Sequence, residues 1–500
     1  MANLLRDHLL DGLKDLPGTR DFFIHVLVTA PRKHQGLFPF ARPRPRAYLQ
    51  DILILLSEKP ASAAPRVLTT AVEASVYNIP STSCAILYIS KVDSTGQATT
   101  PSPTPALVRA LLSFYANPAT RPVSADHLWI HLFARAQGQY LFPNSADFAG
   151  KRPLTDVKLC AWWKRVLSNA VAEVKDATTK LYYVLPGYSQ EEAEQAIARA
   201  ATTSAAAASA PTWTYGHPYS QTEIPLPCPR PAATSGAGPA HNLGHYIPTF
   251  EDDPKSRFMD EIGCDEDVIR SPPKKRARTT TQSGEDEKDK DKEERVAAQL
   301  TRVSPDEFWE RMSFRQECVA GAVTGFFIAA VSCKMPVSAV SPLAPSPGQV
   351  SAQLNKRVLN TLMTGLEFST VERAVKATES LESSIKGLCD GIVPLLAAPR
   401  SMKPKSRVGS NDRPRTPEPE PAKLLAPPPP STPPRRGAAS YVPDVSPNPF
   451  PEPVTSLETY NAHIYGTISV ANAVVAKSRE PVAQPEVRVL AVRKKKKAGA

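Results

Sequence analysis

Four runs rich in β-branched and aromatic residues stand close together early in the chain: Asp21–Ala30, Asp51–Leu56, Val67–Tyr77 and Cys84–Val92. The first two are followed by Pro-Arg and Ser-Glu-Lys-Pro, the kind of punctuation that bounds strands. Paired, they make a sheet, and Cys84–Val92 runs straight into the polar sequence Asp93-Ser94-Thr95-Gly96, a loop at the sheet's edge. His127–Phe133 and Leu181–Leu185 read as further strands.

Helical spacing alternates with these runs. Met1–Leu16 reads as an amphipathic helix, because charged residues are spread among its leucines, which also argues against a secretory signal. Leu107, Leu111, Leu112 and Phe114 share one helical face, with Thr104 expected as N-cap and Pro105 at the first position. A helix from Asp156 carries Leu159, Trp163, Val166, Ala170 and Val174 on one stripe. Trp162 points about 100° away from Trp163, so one ring is free to pack in the core while the other lines a site. Ser189 and Glu192 form a capping box for a helix running to Ala200. Pro305–Ile328 and Leu354–Val393 read as helices that complete the fold. The apolar run Cys318–Cys333 is expected to be a buried helix, since a membrane span needs about 20 residues. An α/β domain with a central twisted mixed sheet surrounded by helices follows.

The rest of the chain cannot extend that core. Among 500 residues there are 52 prolines, and they gather with polar runs. Ala201–Pro211 reads as a linker, Pro272–Arg278 as a basic patch of nuclear-import type, and Glu285–Arg295 as a solvated mixed-charge run. Residues 1–395 are expected to form a single domain interrupted by a disordered insertion at about 271–299. A Pro-rich disordered linker (396–485) and a Lys-rich tail (486–500) follow it. The net charge of +11 favours acidic partners, with nucleic-acid binding left open because no basic face with interleaved aromatics is evident. Seven cysteines without CxxC or Cys/His ligand spacing argue for reduced thiols and against zinc. No Gly-rich fingerprint supports a Rossmann or P-loop reading.

The sequence Phe250-Glu251-Asp252-Asp253-Pro254-Lys255-Ser256-Arg257-Phe258 packs two adjacent carboxylates, a proline and a lysine between aromatic residues. Asp253 and Pro254 suit a helix start, the structural reading. The functional reading is a carboxylate pair beside a binding channel. With Ser90–Gly96, Tyr140–Ser145, Leu159–Trp163, Pro186-Gly187, Phe308-Trp309 and Arg315–Glu317, this stretch resembles the fungal chaperone-dependent histone H3 lysine acetyltransferases, relatives in fold of the CBP-type enzymes. The matching pieces keep the family's order, while the segment between Tyr115 and His127 is shorter and the basic insertion is extra.

That resemblance implies acetyl-CoA along Val92, Asp93, Ser94, Pro101, Ser102, Pro103, Thr104 and Pro105, with Phe133, Gln137, Arg152, Pro153, Leu154 and Trp162 completing its pocket. Lys151 and Arg152 would supply positive potential for the coenzyme phosphates. It further implies a lysine channel lined by Tyr140, Trp163, Asp93, Asp252 and Asp253, autoacetylation at Lys255, and no metal. The acceptor would be histone H3 within an H3–H4 complex presented by histone chaperones in the nucleus, supporting nucleosome assembly, the DNA damage response and genome stability. A scaffold that binds chromatin or chaperones without catalysis is the alternative. Lysine has a pKa of about 10.4 in water, so the carboxylates would share the work of orienting and deprotonating the ammonium.

Overall fold

Strand composition is honoured almost run for run. The described strands are β1 Gly18–Val28, β2 Arg32–His34, β3 Ala47–Pro60, β4 Val67–Ile79, β5 Cys84–Ser94, β6 His127–Ala134, β7 Thr178–Val184, β8 Trp213–Tyr215, β9 Gly325–Ser332 and β10 Tyr465–Asn472. They form one mixed sheet in the order β10-β1-β3-β4-β5-β6-β9-β7-β8, with β2 paired to β3. This computed structural model describes residues 5–60, 64–201, 211–229, 242–264, 295–315, 322–333, 346–390, 453 and 455–473. Pairing is parallel between β5 and β6 and between β7 and β8, and antiparallel in the other named ladders. Parallel neighbours need a crossover, and α2 (Thr104–Ala116) supplies it between β5 and β6.

Side chains alternate across the sheet and build a core on each face. Ile52, Ile54 and Leu56 of β3 join Ala85, Leu87 and Ile89 of β5 beneath α1 (Leu5–Asp11), α2, α3 (Asp156–Ala172) and α4 (Gln190–Ala200). On the opposite face Leu53 and Leu55 meet the helices Ala352–Thr364 and Val371–Cys389, whose Leu354, Val358, Leu381 and Ile385 point inward. Ile86, Tyr88 and Trp129 pack there against Phe250, Phe258 and Phe308. Central strands covered on both faces read as continuous apolar runs, which is why they were legible.

Several boundaries differ from expectation. Among the described residues the first helix spans Leu5–Asp11, and residues 12–15 form turns. Pro305–Met312 is helical, but Gly325–Ser332 within the supposed buried helix is β9, bonded to β6 on one side and β7 on the other. Periodicity does not separate a short buried helix from a doubly covered strand, and pairing on both edges decides for the strand. Among the described residues no helix is long and apolar enough to cross a membrane. Trp213–Tyr215, for which the sequence offers no assignment, is the short strand β8. The expected helix Leu354–Val393 divides into Ala352–Thr364 and Val371–Cys389. Thr104 lies inside the first turn of α2 with Pro103 in the cap position and no side-chain cap bond; its hydroxyl is instead shared with Thr70 at 2.8 Å and Ser102 at 3.0 Å.

The largest departure concerns the supposed linker 396–485. Within it, Tyr465–Asn472 is β10, pairing antiparallel with β1 from Gly18↔Asn472 to His25↔Tyr465. Arg6 donates to the carbonyls of Ala462 at 2.7 Å and Tyr465 at 2.9 Å, and buried His25 Nε2 lies 2.9 Å from Tyr460 Oη. The domain therefore extends beyond residue 395. Residues 295–302 are helical, which takes 295–299 out of the expected insertion. The basic patch at 272–278, the segments 202–210, 271–294, 396–452 and 474–485, and the tail 486–500 lie outside the described residues.

Candidate active site at the parting of two strands

The parallel ladder between β5 and β6 ends at Ile89↔Leu132. Beyond it β5 continues to Ser94 along β4, and β6 continues to Ala134 along β9. At the same point β5 carries an extra residue, Ser90, between the pairs Glu73↔Lys91 and Ala74↔Ile89. A bulge bends its strand and strengthens the twist, so β5 turns away from β6. The wedge between them opens into a cavity of about 410 Å³.

Its walls gather residues distant in sequence. Val92, Asp93, Ser94, Ser102, Thr104, Pro105, Phe133, Gln137, Arg152, Pro153, Leu154 and Trp162 line it, together with Tyr140 and Trp163. Pro101 and Pro103 do not: Pro101 turns its carbonyl to Arg20 Nη1 at 3.1 Å, and Pro103 is buried at the foot of α2. Asp252, Asp253 and Lys255 also stand outside the wall. The sequence reasoning missed Lys91, Arg135, Leu159 and Arg165, which line it. Leu159 and Arg165 lie one helical turn before and just after the tryptophans, a spacing that could have found them.

Both tryptophans face the cavity. The rings of Trp162 and Trp163 meet edge-on at 4.6 Å between centroids, a favourable aromatic geometry that fixes both. Trp163 is buried and Trp162 half-buried, so neighbouring positions on α3 divide between core and cavity edge. Burial raises the Tyr140 phenol to about 12, and its hydroxyl donates to the Arg135 carbonyl.

Asp93 is the anchor beneath the cavity floor. Its Oδ2 accepts the backbone N–H groups of Tyr140 at 2.7 Å, Leu141 at 2.8 Å and Phe142 at 3.2 Å. Its Oδ1 accepts Ser94 N–H at 2.8 Å and Lys151 Nζ at 2.8 Å. Lys151 also donates to Ser145 Oγ at 2.7 Å. One buried carboxylate thus pins the loop carrying Tyr140 to the end of β5. Lys151 is accordingly neutralised by Asp93 and contributes little net potential for a phosphate, contrary to expectation. Gly96 lets this region close: its φ is +78°, and a Cβ there would lie 2.5 Å from Lys151 Cα.

The carboxylate corner sits next to this floor. α5 (Pro254–Cys264) starts as the sequence predicts, with Asp253 Oδ1 accepting Lys255 N–H at 2.8 Å. Phe250 N–H donates to Ser256 Oγ at 2.8 Å, and the Phe250 ring stacks on Tyr88 at 4.0 Å. Asp253 and Lys255 form a buried ion pair, with Lys255 Nζ 4.6 Å from the Phe326 ring centroid. Burial pulls the Lys255 pKa below that of an ordinary lysine, against the opposing pull of Asp253. Asp252 is half exposed and accepts Lys91 Nζ at 2.6 Å; Lys91 also reaches Glu73 at 2.9 Å. Burial disfavours the Lys91 charge, but bonds to Asp252 and Glu73 outweigh it and raise its pKa. Lys91 lines the cavity, so Asp252 reaches the site through it.

A cleft with aromatic walls, a splayed strand and an adjacent exposed carboxylate suits transfer between an elongated ligand and an amine. Comparisons with known proteins show the family. The histone acetyltransferase KAT11-type domain matches residues 120–384, more than half of the 500. The histone acetyltransferase rtt109 of Aspergillus flavus is 28% identical over 277 residues, covering 52% of this chain and 44% of that protein. The Schizosaccharomyces pombe protein of the same name is 26% identical over 242 residues, covering 48% and 51%. The chain therefore spans about half the length of these curated relatives. The crystal structure of Rtt109 from Aspergillus fumigatus aligns with a TM-score of 0.56 at 24% identity, over 76% of this chain and 95% of that one, a likeness of fold. On the extent of the domain match, the chain belongs to the histone acetyltransferase KAT11-type family.

Proposed function

We propose that the chain transfers acetyl from acetyl-CoA to lysine side chains of histone H3, in an H3–H4 complex presented by a histone chaperone, in the nucleus. The observation that carries this reading is the cavity at the parting of β5 and β6. Strand residues beyond Ile89 and Leu132 have ladder partners on one side only, which leaves backbone groups facing the wedge to bond the amides of a pantetheine arm. Phe133, Leu154 and Trp162 supply apolar wall, and Arg152 with Arg165 supplies cations for coenzyme phosphates. The coenzyme supplies a thioester as acyl donor.

The chain's own residues prepare the amine. An acceptor ammonium is attracted to Asp252, and the aromatic walls at Tyr140 and Trp163 keep water from the thioester. Loss of one proton to Asp252 frees the nitrogen lone pair for the carbonyl carbon; the C–N bond forms, the C–S bond breaks, and the second proton shed by the nitrogen ends on the departing thiolate. Asp252 is the better proton acceptor by position, because one side of it faces water while Asp253 is buried against Lys255. Asp93 acts as a positioning residue, since its oxygens already accept five donors. Lys255, with its depressed pKa, is a second acceptor, whose acetylation would remove the charge opposite Asp253.

The test is mass spectrometry of recombinant protein incubated with acetyl-CoA and H3–H4, with and without a histone chaperone. Acetyl groups on H3 and on Lys255 are expected. Absence of acetyl transfer together with absence of a thermal shift from acetyl-CoA would leave the non-catalytic scaffold as the answer.

A further inference from the structure

We infer that Arg20 and Glu58 are positioning residues for the acyl donor: the buried ion pair they form holds the exposed segment 98–101 in the shape that the coenzyme cleft requires. This inference rests on the acetyl-transfer reading and gives a part in it to two residues that do not line the cavity.

Strand register places the pair. Arg20 lies opposite Pro60 and Glu58 opposite Phe22, so the two side chains meet diagonally across β1 and β3. By alternation Arg20 shares the face of Phe22 and Ile24, and its guanidinium lies 5.3 Å from the Phe22 ring centroid. Both side chains are 1% exposed, with Arg20 Nη1 3.3 Å from Glu58 Oε1. Taking two charges out of water costs about as much as their attraction returns, and apolar side chains of similar volume often hold a core as well. Apolar side chains cannot supply directed donors and acceptors, however, and that is what this pair offers.

Those bonds run to one segment. Arg20 Nη1 donates to the carbonyls of Thr99 at 3.0 Å and Pro101 at 3.1 Å, and Glu58 Oε1 accepts Thr99 N–H at 3.2 Å. Residues 95–103 belong to neither helix nor strand, and Thr99–Ser102 are exposed. Among the described residues, every hydrogen bond to residues 98–101 comes from Arg20 or Glu58. The ends of the segment are held separately. Gln97 Nε2 donates to Phe368 O at 3.2 Å, and Thr104 shares its hydroxyl with Thr70 of β4. Directly after the segment, Ser102, Thr104 and Pro105 line the cavity with Val92 and Ser94. A wall ordered in advance leaves the coenzyme less to immobilise, which tightens binding.

The variant Arg20→Met/Glu58→Leu keeps the volume and removes the directed bonds. Titration calorimetry of the full chain with acetyl-CoA should give a Kd about tenfold higher. The KM for acetyl-CoA should rise alike, while kcat at saturating coenzyme holds within about twofold. Hydrogen exchange without coenzyme should quicken in the peptide spanning 97–103 and stay unchanged in β1 and β3. Arg20→Lys keeps the charge but not the planar fork; it should weaken binding about threefold and stands in if the double variant melts early. Native affinity and native exchange in both variants overturn the inference. Exchange that quickens equally across β1, β3 and the segment also overturns it, since the pair would then serve the core alone. A native chain that binds no acetyl-CoA overturns the acetyl-transfer reading and this inference with it, whereas native binding with unaltered variants overturns this inference only.

Discussion

Asp93 follows Lys91 and Val92 on β5 and Asp252 bonds that same Lys91, yet their surroundings make them different chemical objects. Asp93 is buried with donors on both oxygens, including three consecutive backbone amides. Asp252 is half exposed, with Lys91 at 2.6 Å and Ser90 Oγ at 3.5 Å. A carboxylate whose lone pairs are all committed holds a loop in place. One that keeps a face to water can attract an ammonium and exchange protons.

The strongest challenge to that contrast is Asp93→Ala. It leaves Lys151 buried without its anion and four backbone amides without that acceptor, and should cost about 3–5 kcal/mol of stability, read from urea unfolding. A loss below about 1 kcal/mol would mean that the loop is held by something else. Asp252→Asn should do the reverse, with stability within about 0.5 kcal/mol of the native chain and acetyl transfer lowered roughly a hundredfold. If both variants lose stability equally, the two carboxylates are not different in kind.

Acid sharpens the comparison by showing what is not carboxylate chemistry. Burial, with a smaller contribution from Arg66, lowers the His25 pKa to about 3 from 6.5. Between those values the unfolded chain binds the extra proton, so stability rises with pH across the window and falls as pH drops below 6.5. From pH 7 to pH 5 this one group should remove about 2 kcal/mol, and His25→Phe should flatten the slope in urea midpoints measured across that range. Activity lost in acid without a matching fall in the midpoint would then belong to the site itself. The smallest effect is expected from Lys91→Met. It removes a partly exposed ion pair, worth less than about 1 kcal/mol, and releases Asp252. The acceptor's KM should fall about threefold while kcat holds; an increase in KM would show that Lys91 helps to place the acceptor.

Much of this was readable from residues. The central strands announced themselves because both faces are buried, and the cap at Asp253-Pro254 followed from local chemistry alone. Helical geometry placed one of Trp162 and Trp163 in the core and the other at a site, whereas both line the cavity. Gly325–Ser332 was misread because an apolar run carries no signal of its hydrogen-bond partners. Tyr465–Asn472 was hidden by its setting among prolines and polar residues, where only a strand edge elsewhere in the fold gives it a reason to order. Four of the five donors around Asp93 come from residues 140–151, far from it in sequence. Their convergence is a property of topology, which no local pattern encodes.

The pairing of β1 with β10 has a temporal consequence. Gly18 lies opposite Asn472, so one of the first strands made must wait for one of the last. At about 5–20 residues per second, that interval is roughly 20–90 s of synthesis, during which the outer edge of β1 is an open template. The nascent chain therefore needs shielding at that edge, and fluorescence from a probe on β1 should report its closure as a late event in refolding.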